Sequence, residues 1–300
     1  MHSLPLGKRP SRRSELLIAD YEQYLRQERC FAEHNIACHR SYIRFFLEFL
    51  DYDRSADALR RLTLQKVEAF VRAQSKSCGR RALQHVVGYV RAFLRYQYTL
   101  GVIAHRLDDA IETPRVYRLE QLPKALPWPQ IRALLRSIDR GSFRGHRDYT
   151  MLYLMAAYGL RCGEVVALTL DDVEWRAGKL HVWQGKTKNK LVLPLTDEAG
   201  DVLHRYLKNY PRREGRRELF LRLIAPFRPL HSTSVHDILN HWIQRSDLGI
   251  ATQGTHVLRH SLACRLLHQG VPLKTIGDTL GHRDIESTGA YLRLAIDDLR

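Results

Sequence analysis

Four segments of the chain carry side chains that could together break a phosphodiester without a metal ion. Two guanidiniums can hold the non-bridging oxygens, because arginine presents a planar fork matched to phosphate and stays charged. A nucleophile must attack in line. The leaving oxygen needs a proton, which lysine or histidine can give at neutral pH and arginine cannot. Tyrosine, with an ordinary pKa of about 10, serves as nucleophile only where cations favour its phenolate. "YGLRCGEVVALTLDDV" offers Arg161, with Glu164 three residues on. "QGKTKNK" offers Lys186, and "THVLRHS" offers His256 and Arg259, three apart and so on one helical face. "LGHRDIESTGAYLRL" adds His282 and Tyr291.

Taken singly, each of these residues has an ordinary explanation. An HxxR pair sits on many surface helices, a lysine in a turn is usually solvated, and most tyrosines are half-buried aromatics. His256 and His260 are spaced as in a zinc helix, but Val257 stands where that motif needs glutamate. Cys30, His34 and Cys38 fall at four-residue steps, which fits one helical face better than the short-loop spacing of a zinc site. No metal or other cofactor is expected.

Such a set needs elements to hold it. From Ser14 to about Tyr98 the apolar residues recur at three- and four-residue steps in "LLIADYEQYLRQ", "HRSYIRFFLEFLD", "LTLQKVEAFVRAQ" and "RALQHVVGYVRAFLRYQY". Thr63 is placed to cap the third helix. The aromatic stripe reads as core, and four helices in this length make a bundle. The expected organisation is a flexible basic arm over 1–13, a helical domain over 14–105, a proline-bearing linker over 106–127 and a second domain over 128–300. In the second domain Pro129 opens a helix and "RDYTMLYLMAAYG" should cross the core and stop at Gly159. "KLHVW" and "LVLPL" flank the lysine turn as a β-hairpin. Helices are expected over 196–209, 234–246, 256–268, 273–279 and 285–294, with "YPRREGRRELFLRLIAPFRP" as a basic loop.

The chain has 300 residues, with 48 Lys and Arg against 32 Asp and Glu, a formal net charge of +16. That excess is spread along both halves and points to a polyanion such as nucleic acid. No run approaches the roughly 18 apolar residues of a membrane helix. The N-terminal basic residues follow a short apolar patch, the wrong order for a secretory signal. Five scattered cysteines suit reduced thiols. The expected compartment is the cytoplasm, with no membrane partner.

In combination the four segments resemble the tyrosine recombinase, or phage integrase, family, and the Xer-like bacterial members most closely. The blocks stand here as "GLRCGE", "GKTKNK", "HVLR", "LGH" and "GAYLRL", with 23 residues from Arg259 to His282 and nine from His282 to Tyr291. The resemblance covers residues 130–295 and extends more loosely to the N-terminal helices. It implies a mainly α (α+β) protein, in which a four-helix, SAM-like core-binding domain precedes an α-rich catalytic domain with a small β-hairpin sheet.

The resemblance also implies roles. Arg161 and Arg259 would clamp the scissile phosphate, and Tyr291 would attack it to form a 3′-phosphotyrosyl link. Lys186 would protonate the leaving oxygen; Lys188 and Lys190 share its turn, and the family block favours Lys186. His256 would bond the phosphate and help move the tyrosine proton, His282 would brace the phosphate, and Glu164 would anchor the arginine region. Arg81, Arg91, Arg95, Lys188 and Lys190 are further candidate DNA contacts. The partner would be double-stranded DNA with inverted half-sites, enclosed by both domains and bound by a homotetramer on paired sites or by an assembly with a related recombinase. The outcome would be integration and excision, or resolution, of a mobile element or replicon. Two other readings are type IB topoisomerase-like relaxation and an accessory DNA-binding subunit dependent on a catalytic partner. Nine residues follow Tyr291, where Xer-like members carry a longer tail that docks on the neighbouring protomer. The resemblance therefore leaves the route of subunit coupling open, but not the chemistry.

Overall fold

The computed structural model describes residues 12–55, 57–115, 125–185, 189–209, 215–251 and 254–281. The chain divides into two compact units, Met1–Glu120 and Gln121–Arg300. Among the described residues no helix is long and apolar enough to cross a membrane.

The first unit is built from α1 (Arg12–Gln27), α2 (Glu33–Phe49), α3 (Leu64–Ser75), α4 (Arg80–Thr99) and the single turn α5 (Leu107–Ala110). α1 begins inside the segment expected as a flexible arm. The Thr63 hydroxyl accepts the amide of Lys66 at 3.4 Å and so starts α3. On α4 the buried residues Leu83, Val86, Val87, Val90, Phe93 and Leu94 form one stripe at helical spacing. They meet Tyr21, Ile36, Ile43, Phe46 and Phe70, all fully buried. Each such side chain contributes about 1.5–3 kcal/mol by leaving water. The aromatic stripe of α2 is thus core, with Phe46 edge-on to Phe70 at 5.0 Å. Cys30 lies before α2 at a positive φ of 51°, so it shares no helical face with His34 and Cys38.

The region expected as a linker starts inside this unit. Ile103 and Ile111 are buried in its core. Asp108 is buried too, and receives Arg95 Nε at 2.9 Å and Arg106 Nη2 at 3.3 Å. A buried carboxylate needs such partners. Burial opposes its ionisation, yet the two guanidiniums hold its pKa below the ordinary value. Arg91 donates to the Ile111 carbonyl. Arg91 and Arg95, candidates for DNA contact, therefore tie this arm to α4, while Arg81 is exposed.

The second unit holds α6 (Trp128–Ser137), α7 (Phe143–Tyr158), α8 (Cys162–Val166), a 3-10 turn (Leu170–Asp172), β1 (Val173–Glu174), β2 (Lys179–Gln184), β3 (Asn189–Pro194), α9 (Asp197–Lys208), α10 (Ser232–Arg245), α11 (His256–His268) and α12 (Leu273–Leu280). α7 starts at a Ser142 cap and buries residues on every side, from Met151 to Ala156. Its buried Asp148 is held by Arg147 Nη2 at 2.6 Å and Trp242 Nε1 at 3.0 Å. The sheet is antiparallel in the order β1–β2–β3, and Trp183 pairs with Lys190, Gln184 with Asn189. Inward residues Leu180, Val182 and Gln184 alternate with outward ones along β2.

The basic segment expected as a loop is partly core. Leu219 and Phe220 are fully buried. The Leu219 amide donates to Leu168 O at 2.8 Å, and the Leu230 amide to Phe220 O at 3.0 Å. The helix expected over 285–294 lies outside the described residues.

Candidate active site

Arg259 sits at the centre of the candidate site. α11 carries it on its inward face, and its side chain is almost wholly buried. Nη1 donates to the carbonyl of Gly159 at 2.7 Å, and Nη2 to that of Leu280 at 2.5 Å. One planar group thereby joins the ends of α7 and α12. These are the "YGLR" and "LGH" segments, which lie 121 residues apart by the difference of 280 and 159. A guanidinium has five donors in a fixed fork, so holding two carbonyls does not exhaust its capacity.

The two glycines make this approach possible. Gly159 ends α7 in the left-handed region at φ 65°. A Cβ there would lie 2.5 Å from Leu280 Cδ2 and 3.2 Å from Leu262 Cδ2. Gly281 ends α12 at φ 64°, and its Cβ would lie 2.1 Å from Gln184 Nε2. Both positions need glycine for backbone conformation and for space.

Arg161 follows at the N-cap of α8. Glu164 accepts its amide on Oε2 at 2.8 Å and its Nη1 on Oε1 at 2.6 Å. Glu164 is buried and Arg161 is partly exposed, so the carboxylate holds the guanidinium from within. The next residue, Cys162, contacts the Thr255 hydroxyl through Sγ at 2.8 Å, immediately before His256. The "GLRCGE" and "HVLR" segments are therefore joined at a second point. His256 opens α11 and is exposed. Its ring faces that of His260 with centroids 6.0 Å apart. Burial, then His256 and Arg259, lower the pKa of His260 to about 4, so it is neutral at pH 7.

Arg161, Glu164, His256 and Arg259 are thus gathered in one region. Lys190 stands on β3 opposite Trp183, with its side chain exposed. Lys186, Lys188, His282 and Tyr291 lie outside the described residues; Lys186 follows Gly185 in the chain, and His282 follows Gly281. Among the described residues no group of three or more His, Cys, Asp or Glu is gathered as a metal ion would require. Sequence reasoning did not single out Gln184, Thr255 or Cys162. A polar residue on the apolar face of β2 is the one signal that marks Gln184.

Residues 124–297 match the profile of the phage integrase family. The chain belongs to that family. A Sinorhizobium fredii protein named as an integrase/recombinase, y4rA, is 34% identical over 94% of this chain and 69% of its own length. The phage integrase relative named tyrosine recombinase XerD in Listeria monocytogenes (serotype 4b) is 31% identical over 92% of this chain and 93% of its own length. Among solved structures, a lambda integrase tetramer bound to a Holliday junction superposes with a TM-score of 0.72 over 92% of this chain and 76% of that one, at 16% identity. At that identity the likeness is one of fold. As a member of the phage integrase family with these relatives, the protein is a tyrosine-type site-specific recombinase.

Proposed function

We propose that this recombinase cuts and rejoins DNA through a covalent 3′-phosphotyrosyl intermediate, with Tyr291 as nucleophile. The supporting observation is the Arg259 guanidinium spanning Gly159 O and Leu280 O, which draws the first arginine segment and the "LGH" segment onto α11. In the first step the Tyr291 oxygen bonds to phosphorus as the bond to the 5′ oxygen breaks. The Lys186 ammonium gives that oxygen its proton, which leaves a 5′-hydroxyl. Arg161 and Arg259 hold the non-bridging oxygens and stabilise the added charge, with Glu164 keeping Arg161 oriented. His256 bonds the phosphate and takes part in moving the tyrosine proton, and His282 braces the phosphate. In the second step a 5′-hydroxyl from another strand attacks the phosphotyrosine and frees Tyr291. The phosphoester energy is conserved, so no ATP is required. Arginine and lysine supply the positive charge, so no metal is required either.

The substrate would be duplex DNA with inverted half-sites. The lambda integrase tetramer on a Holliday junction supports assembly of four protomers on two sites, whether of this chain alone or with a related recombinase. Integration and excision, or resolution, of a mobile element or replicon is the biological outcome that fits this chemistry. The deciding experiment uses a nicked duplex carrying the site mapped by footprinting. A denaturant-resistant protein–DNA adduct is expected, and Tyr291→Phe should abolish it while DNA binding persists. No adduct on a footprinted site, or an adduct that survives Tyr291→Phe, overturns the assignment.

A further inference from the structure

Gln184 is the last residue of β2 and the only polar one of the three side chains that β2 turns inward, with Leu180 and Val182. It is almost fully buried. Its amide lies flat against Gly281, close enough that a Cβ on Gly281 would fall 2.1 Å from Nε2 and 2.6 Å from Cδ. Real side chains do not approach so closely, so Gly281 is the residue that lets the amide in. The contact joins two stretches far apart in sequence. Gln184 is two residues before Lys186, and Gly281 is one before His282. Gly281 is in turn held through its neighbour, because Leu280 O accepts from buried Arg259. A chain of contacts thus runs from Arg259 through Leu280 and Gly281 to the end of β2, two residues before Lys186 in the sequence.

We propose that Gln184 is a positioning residue for Lys186: its amide, seated on Gly281, fixes the end of β2 relative to the arginine clamp. This rests on the assignment of Lys186 as the proton donor. In this proposal Gln184 takes no direct part in the chemistry. It acts by setting where the ammonium arrives, and a displacement of the order of 1 Å in such a group can cost about 10²-fold in rate. The effect should fall on leaving-group protonation and spare DNA binding.

The test compares cleavage of two nicked duplexes of the footprinted site. One has the natural scissile phosphate. The other has sulfur in place of the 5′ bridging oxygen, so that a thiolate leaves and needs no proton. Gln184→Ala is expected to slow cleavage of the natural duplex by about 10- to 100-fold, with unchanged affinity, and to cleave the sulfur duplex within about threefold of the unaltered protein's rate. Gln184→Met keeps length and volume and covers the case in which alanine fails to fold. The same selective loss is expected, at smaller size. Lys186→Ala is the control, slow on oxygen and restored on sulfur. If Lys186→Ala is restored by sulfur and the Gln184 variants are not, or if they cleave the natural duplex at full rate, the positioning role is overturned. If Lys186→Ala is not restored, the proton-donor assignment fails, and the role of Gln184 fails with it.

Discussion

Replacing Arg259 by lysine separates charge from shape at the centre of the site. Lysine keeps the positive charge but brings a single nitrogen, which cannot span Gly159 O and Leu280 O as the guanidinium does at 2.7 and 2.5 Å. Arg259→Lys should cost about 1–3 kcal/mol of stability through the lost carbonyl bonds. It should also slow adduct formation by more than about 10²-fold, the usual scale for losing a charge-stabilising donor. A urea titration and a single-turnover cleavage assay check the two effects; full cleavage by the lysine variant would contradict the clamp. Gly159→Ala tests the same junction from the other side. Its Cβ would meet Leu280 Cδ2 at 2.5 Å, in a backbone region that disfavours side chains. A loss of about 1–3 kcal/mol is expected, and an unchanged urea midpoint would mean that the two segments do not meet there. At this scale the reading from sequence picked out residues by type, such as Arg161 and Arg259, and the structure brings their segments together. The partners of Arg259 are two backbone carbonyls, and Gly281 meets a glutamine, groups that look like any others until the segments are brought together.

Elements were legible where local order alone makes them. The run of residues 256–268 coincides with α11, and the hairpin expected around the lysine turn is the β2–β3 pair. Thr196, at the head of a helix expected over 196–209, caps α9 by accepting the Ala199 amide at 3.3 Å. Thr196→Ala should therefore cost about 1 kcal/mol and lower the melting temperature by about 2–4 °C; a larger drop would reveal a further role, for example through Tyr158 Oη, which lies 3.5 Å from the same hydroxyl. Elements that depend on remote partners were not legible. Leu219 and Phe220 sit in a basic, unperiodic stretch and become core only through pairing with Leu168 and Leu230. α5 is one turn long and is held by the buried Asp108 between Arg95 and Arg106. No local pattern announces a carboxylate that will be buried. The same clasp gives Arg95 an intramolecular partner that nothing in its own helix announces.

For the molecule as a whole, acid and salt act on different groups. His39, in the first unit, bonds Tyr21 Oη through Nδ1 at 3.1 Å, and burial lowers its pKa from 6.5 to about 4. His260, in the second, is lowered to about 4 by burial, His256 and Arg259. Between those values the unfolded chain binds protons that the folded chain refuses. Stability is therefore full above about pH 6.5 and falls as the pH is lowered toward about 4. As the pH is lowered from about 6.5 toward about 4, the urea midpoint of the unaltered protein should fall more steeply than that of a His39→Gln, His260→Gln double variant, which has lost both titrating groups. A pair with the same pH slope as the parent would remove these histidines as the cause.

Salt addresses the surface instead. A formal charge of +16 on 300 residues can serve solubility or can face phosphate, and only the second has a steep ionic-strength dependence. Cations that neutralise phosphates release the counterions condensed on the duplex, so the logarithm of affinity falls linearly with the logarithm of salt, with a slope of about −0.9 per phosphate. A recombinase that makes about six to ten phosphate contacts should lose roughly 10³- to 10⁵-fold in affinity between about 50 and 200 mM salt. Fluorescence anisotropy with a labelled duplex of arbitrary sequence measures that slope, because phosphate contacts carry no sequence information. The footprinted site should bind more tightly at every salt concentration with nearly the same slope, since base contacts add affinity without releasing ions. A slope shallower than about −2 on both duplexes would mean that the excess charge keeps the protein in solution and does not track a DNA backbone.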